Sequence, residues 1–292
     1  MLDCVIIGGG PAGITAAIQL KRSGFNITLF EKEKIGGLMH NANLIENYLG
    51  FPHGITGEEL CFLFTKHLQG YNVECKNEFV TKINIDNTFF TVITKNNEYK
   101  TRTVLFATGT VPISIDSSII NSDIKNDIYY EIKELLTKIK ENQHCCILGG
   151  GDAAFDYALN LSKKKIYSII LFRSHKPTCL PLLLKRCTKN EYITIMPNVN
   201  IKKISKTQNK LVDIMYIIGD KKYNIQSNFL LVAYGRKIND FLFSSYHEKD
   251  NIPGFYFAGD VKTGKYRQIG IAVGQGLETA MKIEKYLRSK VL

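Results

Sequence analysis

Two glycine-rich turns, about 140 residues apart, constrain this chain more than any other feature. Each follows a short apolar strand, opens a helix and leads to a second strand. In the first, Leu2–Ile7 enters Gly8-x-Gly10-x-x-Gly13, a helix runs to about Arg22, and Asn26–Phe30 is the next strand. In the second, His144–Leu148 enters Gly149-x-Gly151-x-x-Ala154, a helix runs to about Lys163, and Ile166–Phe172 follows. This order is what a dinucleotide fingerprint requires. The first glycine permits the tight turn, the second lets backbone approach a pyrophosphate, and the third lets helix pack on strand, a place where Ala is tolerated. The helix N-terminus adds free N–H groups and the positive end of its dipole. With only two copies, these are two nucleotide-binding units rather than a solenoid.

The strand ends distinguish the two units. Glu31, eighteen residues after Gly13 and followed by Lys32, stands where an acid would hold a ribose hydroxyl pair. The second unit ends Leu171-Phe172-Arg173-Ser174-His175-Lys176 and has no acid there. Arg173 and Lys176 instead suit a 2′-phosphate, which favours NADPH, with NADH as the alternative. Asp152, beside Ala153 in the first helical turn, is favourably placed for the helix dipole. One acidic and one basic strand end imply two different nucleotides.

Between the turns, Val73–Phe106 reads as strands, closed by Ala107-Thr108-Gly109. The spacing of Ile128, Ile132, Leu135, Leu136 and Ile139 predicts a helix over 124–140. Further strands are expected near 201–205, 211–218 and 229–232. A last helix is expected from about Gln268 to Arg288. The implied architecture is α/β, with residues 1–112 and 246–292 forming one domain and 113–245 inserted as the other.

The net charge of +11 comes from lysines scattered along the chain, with no Arg-rich arm, so no nucleic-acid partner is expected. Apolar runs such as Ile169–Phe172 are too short to span a bilayer, and the chain enters directly into a strand, so a cytoplasmic protein without membrane association is expected. Seven cysteines, an odd number with no Cys-x-x-Cys, exclude a secreted disulfide framework and a zinc ribbon. Neighbouring Cys145 and Cys146 must point to opposite faces of their strand. The six histidines form no catalytic pattern, so no protein acid, base or metal ligand is named.

With both turns placed, the chain resembles the low-molecular-weight thioredoxin reductases of the flavoprotein disulfide reductase superfamily. The motifs are Gly8–Gly13, Gly36-Gly37, Glu46-Asn47-Tyr48-Leu49-Gly50-Phe51-Pro52, Ala107-Thr108-Gly109, Gly149–Ala154, Gly259-Asp260-Val261 and Tyr266-Arg267-Gln268 with the closing helix. The resemblance covers nearly the whole chain. It implies two Rossmann-like domains of three-layer ββα build, the NAD(P)H domain inserted into the FAD domain, and a homodimer. It implies that FAD lies on Gly8, Gly10, Pro11, Ala12 and Gly13, with Glu31 and Lys32 at the adenosine ribose and Val80 by the adenine. Gly37, Leu38 and Asn47 would lie beside the flavin, Ala107, Thr108, Gly109 and Gly259 around the cofactor, and Asp260 at the ribityl chain. Arg267, Gln268 and Ile269 would reach the flavin ring. NADPH would lie on Gly149, Gly151, Asp152, Ala153, Ala154, Arg173 and Lys176.

Three positions depart from the family. Its Cys-x-x-Cys should begin sixteen residues before Gly149, where this chain has Lys133-Glu134-Leu135-Leu136. Only one of two arginines is present, as Arg173, and Leu38 stands where the family has Gln. Cys179 and Cys187, eight apart, are the alternative pair. The expectation is therefore an FAD-dependent NAD(P)H oxidoreductase that delivers electrons to an external acceptor: ferredoxin, flavodoxin, a disulfide, a quinone or a small molecule. The reading of another class is a flavin-binding sensor or subunit without turnover.

Overall fold

The computed structural model describes residues 1–86, 89–244 and 252–290. The chain forms two compact units, one of Met1–His40, Ile45–Val111 and Lys237–Leu292, the other of Asn41–Leu44 and Pro112–Arg236.

The first unit opens with β1 (Leu2–Ile7), α1 (Pro11–Arg22) and β2 (Ile27–Phe30). Next come α2 (Gly57–Gly70), β3 (Glu74–Lys76), β4 (Val80–Ile85), β5 (Phe90–Thr94) and β6 (Glu98–Phe106). A capping box starts α2: Thr56 accepts the Glu59 N–H, and Glu59 accepts the Thr56 N–H. The sheet order is β3-β2-β1-β6-β5-β4. β1 pairs in parallel with β2 and β6, while the early half of β6 pairs antiparallel with β5. Strand period 2 sends alternate side chains of β1 to opposite faces. Cys4 and Ile6 join the core under α1, and Val5 and Ile7 join the core under β4 and β5. Three layers result, with helices on one face and antiparallel strands on the other.

The chain leaves along β7 (Thr110–Pro112). The second unit contains β8 (Ile128–Tyr129), α3 (Ile132–Leu135), β9 (His144–Leu148), α4 (Asp152–Ser162), β10 (Tyr167–Leu171) and α5 (Pro181–Thr188). Then follow β11 (Ile193–Met196), β12 (Asn200–Lys206), β13 (Val212–Ile218), β14 (Lys221–Ser227) and β15 (Phe229–Val232). A parallel sheet, β11-β10-β9-β15-β8, carries α4 and α5 over one core; the antiparallel β12-β13-β14 sheet covers the other. Cys145 and Cys146 fall in these separate cores, as a strand demands.

β16 (Arg236–Ile238) returns the chain, followed by β17 (Phe255–Phe257), α6 (Asp260–Thr263) and α7 (Ile269–Ser289). β17 pairs in parallel with the later half of β6.

Two expectations need correction. The helix over 124–140 is absent apart from the single turn α3; a 3-10 segment at Ser122–Asp127 and β8 precede it, and 136–138 form a turn after it. Ile124, Tyr129, Ile132, Leu135 and Ile139 are still buried. Of the expected stripe, Ile132, Leu135 and Ile139 are buried and Ile128 and Leu136 half-buried, and pairing of β8 with β15 at the sheet edge satisfies Ile128–Tyr129 as a strand. The domain boundary at 245/246 lies outside the described residues, and the chain is already in the first unit at Lys237. There the Asn239 N–H donates to Gly109 O at 3.0 Å, and Thr108 Oγ1 donates to Asn239 O at 3.0 Å. The four residues Asn41–Leu44, grouped with the second unit, carried no compositional signal.

α7 lies against α1 through a contact that tolerates no side chain. A Cβ on Gly276 would stand 2.2 Å from the Ala12 carbonyl oxygen, whereas one on Gly274 would meet nothing within 4 Å. Gly274→Ala is therefore expected to stabilise the protein by about 1 kcal/mol through helix propensity. Gly276→Ala is expected to destabilise it by about 1–3 kcal/mol through overpacking. Urea unfolding followed by circular dichroism checks both; equal effects would refute the packing account.

Candidate functional site

The first turn is built from close backbone contacts. Gly8 has φ +110°, and a Cβ there would lie 2.2 Å from Ala107 O. A Cβ on Gly13 would lie 2.0 Å from Gly8 O, so both positions are closed to side chains. Around Gly10, by contrast, space is open. Pro11 takes the first helical position, and Gly10 caps α1 with no side-chain hydrogen bond. The first-turn N–H groups, those of Ala12 among them, are thus left for an anion. Gly36 N–H donates to Gly9 O at 2.8 Å, which brings Gly37 against Gly10, with Leu38 half-buried behind it.

Glu31 directly follows β2, as expected. Its Oε2 accepts the Gly9 N–H at 2.7 Å and its Oε1 accepts the Glu33 N–H at 2.9 Å, so the carboxylate is fixed beside the turn. Lys32 points outward and pairs with Glu33 at 3.5 Å. Beside them lies a pocket of about 180 Å³, lined by Gly8, Glu31, Lys32, Val80 and Thr108 among the expected residues. Glu78, Phe79, Asn239, Phe241 and Leu242 also line it, and none of these was singled out in the sequence. No local motif marks them: Phe241 is remote in sequence, and Phe79 precedes a strand as any apolar residue could.

The closing segment meets the same turn. Gly259, at φ +80°, faces Ala12, and its N–H donates to Gln275 Oε1 at 2.9 Å. Asp260 begins α6. Gln268 caps α7 with its side chain turned to Asn47, whose Nδ2 donates to Gln268 Oε1 at 2.9 Å. Asn47 and Gln268, 221 residues apart, are brought together; Arg267 and Ile269 flank the cap, both half-buried. The first turn of α7 carries no acid, so its dipole is uncompensated there. These residues fit FAD: a turn for the diphosphate, an acid for the ribose, a pocket for the base and a helix N-terminus beyond.

The second turn repeats the first. Gly149 has φ +142°, and a Cβ would lie 2.3 Å from Ala233 O. Gly151 caps α4 with no side-chain hydrogen bond, Ala153 is exposed, and Ala154 is fully buried in the third-glycine place. Asp152 Oδ1 accepts the Leu180 N–H at 2.7 Å, so this carboxylate holds the 178–180 loop. Arg173 and Lys176 are exposed beyond β10, and Ser174 Oγ donates to Lys176 O at 2.7 Å. This set fits a dinucleotide with an extra phosphate.

Lys133-Glu134-Leu135-Leu136 falls in and after α3, whose Ile132 and Leu135 are fully buried. All seven cysteines are free thiols. Cys187 donates to Phe155 O at 3.5 Å, and burial pushes its thiol up to about 12. Burial raises Cys179 as well. Neither is poised as a thiolate, the form that exchanges disulfides.

A model of the family described as pyridine nucleotide-disulphide oxidoreductase matches residues 2–276. The chain belongs to this family. It is 29% identical to thioredoxin reductase 1 of Saccharomyces cerevisiae, covering 97% of each chain. It is 27% identical to NADPH-dependent thioredoxin reductase 3 of Arabidopsis thaliana, covering 99% of this chain and 59% of that protein. The crystal structure of Lactococcus lactis thioredoxin reductase superposes with a TM-score of 0.90 at 28% identity, over 99% of this chain and all of the other. The pyridine nucleotide-disulphide oxidoreductase assignment makes this chain a thioredoxin reductase-like FAD-dependent NAD(P)H oxidoreductase with the two-Rossmann fold. Among the described residues no helix is long and apolar enough to cross a membrane, and no group of metal-binding side chains occurs.

One member of α4 has its own titration. Asp156 Oδ2 accepts the Asn43 N–H at 2.9 Å, and burial lifts the carboxyl to about 6 despite that bond. Burial of the ionised form is costly, so the folded state takes up a proton before the unfolded chain does. The penalty is complete above about pH 6 and is relieved as pH falls toward 4. Asp156→Asn is expected to stabilise the protein on the order of 2 kcal/mol at pH 8 and hardly at all at pH 4. Denaturation at the two pH values checks the sign.

Proposed function

We propose that this chain takes electrons from NADPH, with NADH as the lesser donor, and passes them through FAD to an external acceptor without using a disulfide of its own. FAD, when bound, supplies the two-electron chemistry that links nicotinamide to acceptor. The chain's residues bind and orient. The Gly8–Gly13 turn takes the diphosphate, Glu31 the adenosine ribose, and the Asn47–Gln268 pair the flavin side. The α7 N-terminus, with Arg267, favours negative charge on the ring beside it. Gly149–Ala154 takes the second dinucleotide, and Arg173 and Lys176 its 2′-phosphate.

The observation that carries the reading is the replacement of the family's redox pair by Lys133-Glu134-Leu135-Leu136, together with free thiols everywhere else. Without a thiolate there is no nucleophile for an internal relay. Likeness to thioredoxin reductases supports a disulfide substrate that meets the flavin directly, and a homodimer working in the cytoplasm. The charge of +11 favours acidic ferredoxin or flavodoxin as the second class of acceptor.

Anaerobic titration of the FAD-loaded protein tests this. One equivalent of NADPH per FAD is expected to bleach the visible absorbance completely, and prior alkylation of thiols is expected to change nothing. Consumption of two equivalents, abolished by alkylation, would mean that a cysteine pair takes part. The reduced protein offered thioredoxin, a small disulfide, ferredoxin and flavodoxin then names the acceptor.

Arg173→Ala is expected to raise KM for NADPH by about tenfold, the loss of one charge-assisted phosphate contact, and to leave KM for NADH within twofold. Equal effects on both donors would remove Arg173 from the 2′-phosphate site.

A further inference from the structure

Phe79 and Phe241 stand at the rim of the pocket beside Glu31. Their rings stack on one another with centroids 5.9 Å apart and planes 25° apart. They are 50% and 60% exposed, so neither serves the core. Large exposed aromatic side chains at a cleft are characteristic of ligand or partner surfaces rather than of folding.

Their backbones are nevertheless anchored. Phe79 lies between Val80, 2% exposed, and Glu78, whose carboxylate accepts Thr94 Oγ1 at 2.7 Å and Tyr99 Oη at 2.9 Å. Those bonds hold Glu78 below the usual carboxylate range. Phe241 lies two residues from Asn239, tied to Thr108 and Gly109, and two from Phe243, buried against Phe106 and Phe257. Both anchored residues thus line the pocket that also holds Gly8 and Glu31. A diphosphate at Gly8 and a ribose at Glu31 leave a nucleobase as the neighbouring group.

We propose that the stacked rings of Phe79 and Phe241, remaining in contact with one another, form an aromatic clamp that packs on one side of the adenine of the bound FAD. The inference rests on the flavin reading above and adds two specificity-determining residues to it. Base–aromatic stacking is strong and needs no hydrogen-bond pattern, so the clamp reads a purine face rather than its edge. The adenosine end then becomes a source of discrimination between FAD and FMN.

The test is titration of apo-protein with FAD, FMN and ADP, with wild type, Phe79→Ala, Phe241→Ala, Phe241→Tyr and Phe241→Leu compared. Each Ala variant is expected to bind FAD and ADP about tenfold more weakly, within the range of about five- to 150-fold for one stacked base. Phe241→Tyr is expected to stay within twofold of wild type, and Phe241→Leu to lose nearly as much as Ala, because leucine restores apolar area without a flat face. FMN binding is expected not to change. Both rings are exposed, and thermal melts of the apo-proteins should coincide; if an Ala variant melts early, the Tyr–Leu contrast decides. FAD and ADP affinities within twofold of wild type in both Ala variants would overturn the clamp, as would equal losses for FAD and FMN. Failure of wild type to bind FAD would instead overturn the flavin reading, and ADP binding would still report on the clamp.

Discussion

The close approach of a turn to the carbonyl of a neighbouring strand end governs this molecule. Gly8 sits against Ala107 O, and Gly149 sits against Ala233 O, each at a positive φ. The contact brings the end of one parallel strand within backbone distance of the next, so the helix that follows starts at the carboxyl edge of the sheet. Placement of an anion at that edge needs no side chain, because backbone N–H groups and the helix dipole suffice. The rest of each unit supports this geometry. The first adds Ala12 against Gly259 and Gly276, which ties the turn to the closing helix. The second adds Thr178, whose N–H donates to Gly150 O at 2.8 Å.

The same cradle with different strand ends gives two different sites. Glu31, locked by the Gly9 and Glu33 N–H groups, keeps a carboxylate where a ribose would sit. The second unit ends in exposed Arg173 and Lys176. A carboxylate there would repel a phosphate, and a cation repays it with charge-assisted hydrogen bonds. The proposed distinction between the two nucleotides therefore rests on a few side chains on nearly equivalent backbones, and that is why sequence alone suggests it.

What the sequence revealed and what it hid follow from range. Turn glycines and strand alternation are local, so β1, α1, β9 and α4 and the opposite faces of Cys145 and Cys146 could be read directly. The segment 124–140 shows the limit: its apolar spacing foretold burial at Ile132, Leu135 and Ile139, but neither the half-exposure of Ile128 and Leu136 nor the backbone, because pairing between β8 and β15 is a long-range choice. The pocket shows it again. Val80 was named through family likeness, but Phe79 and Phe241 meet only because the return through Asn239 is pinned to Thr108 and Gly109. No local pattern encodes that meeting.

Packing bears on the segment Lys133-Glu134-Leu135-Leu136 as well. A reactive Cys-x-x-Cys needs partial exposure and a lowered thiol pKa. α3 turns Ile132 and Leu135 fully into the core beneath α4, with Lys133 on its half-exposed side and Leu136 as its C-cap. Two buried thiols show the opposite of activation: Cys4 is raised to about 12 and Cys146 to about 11 by burial. Ile132 and Leu135 tie the segment to the core of its own unit, while Lys133, Glu134 and Leu136 remain at least partly open to solvent.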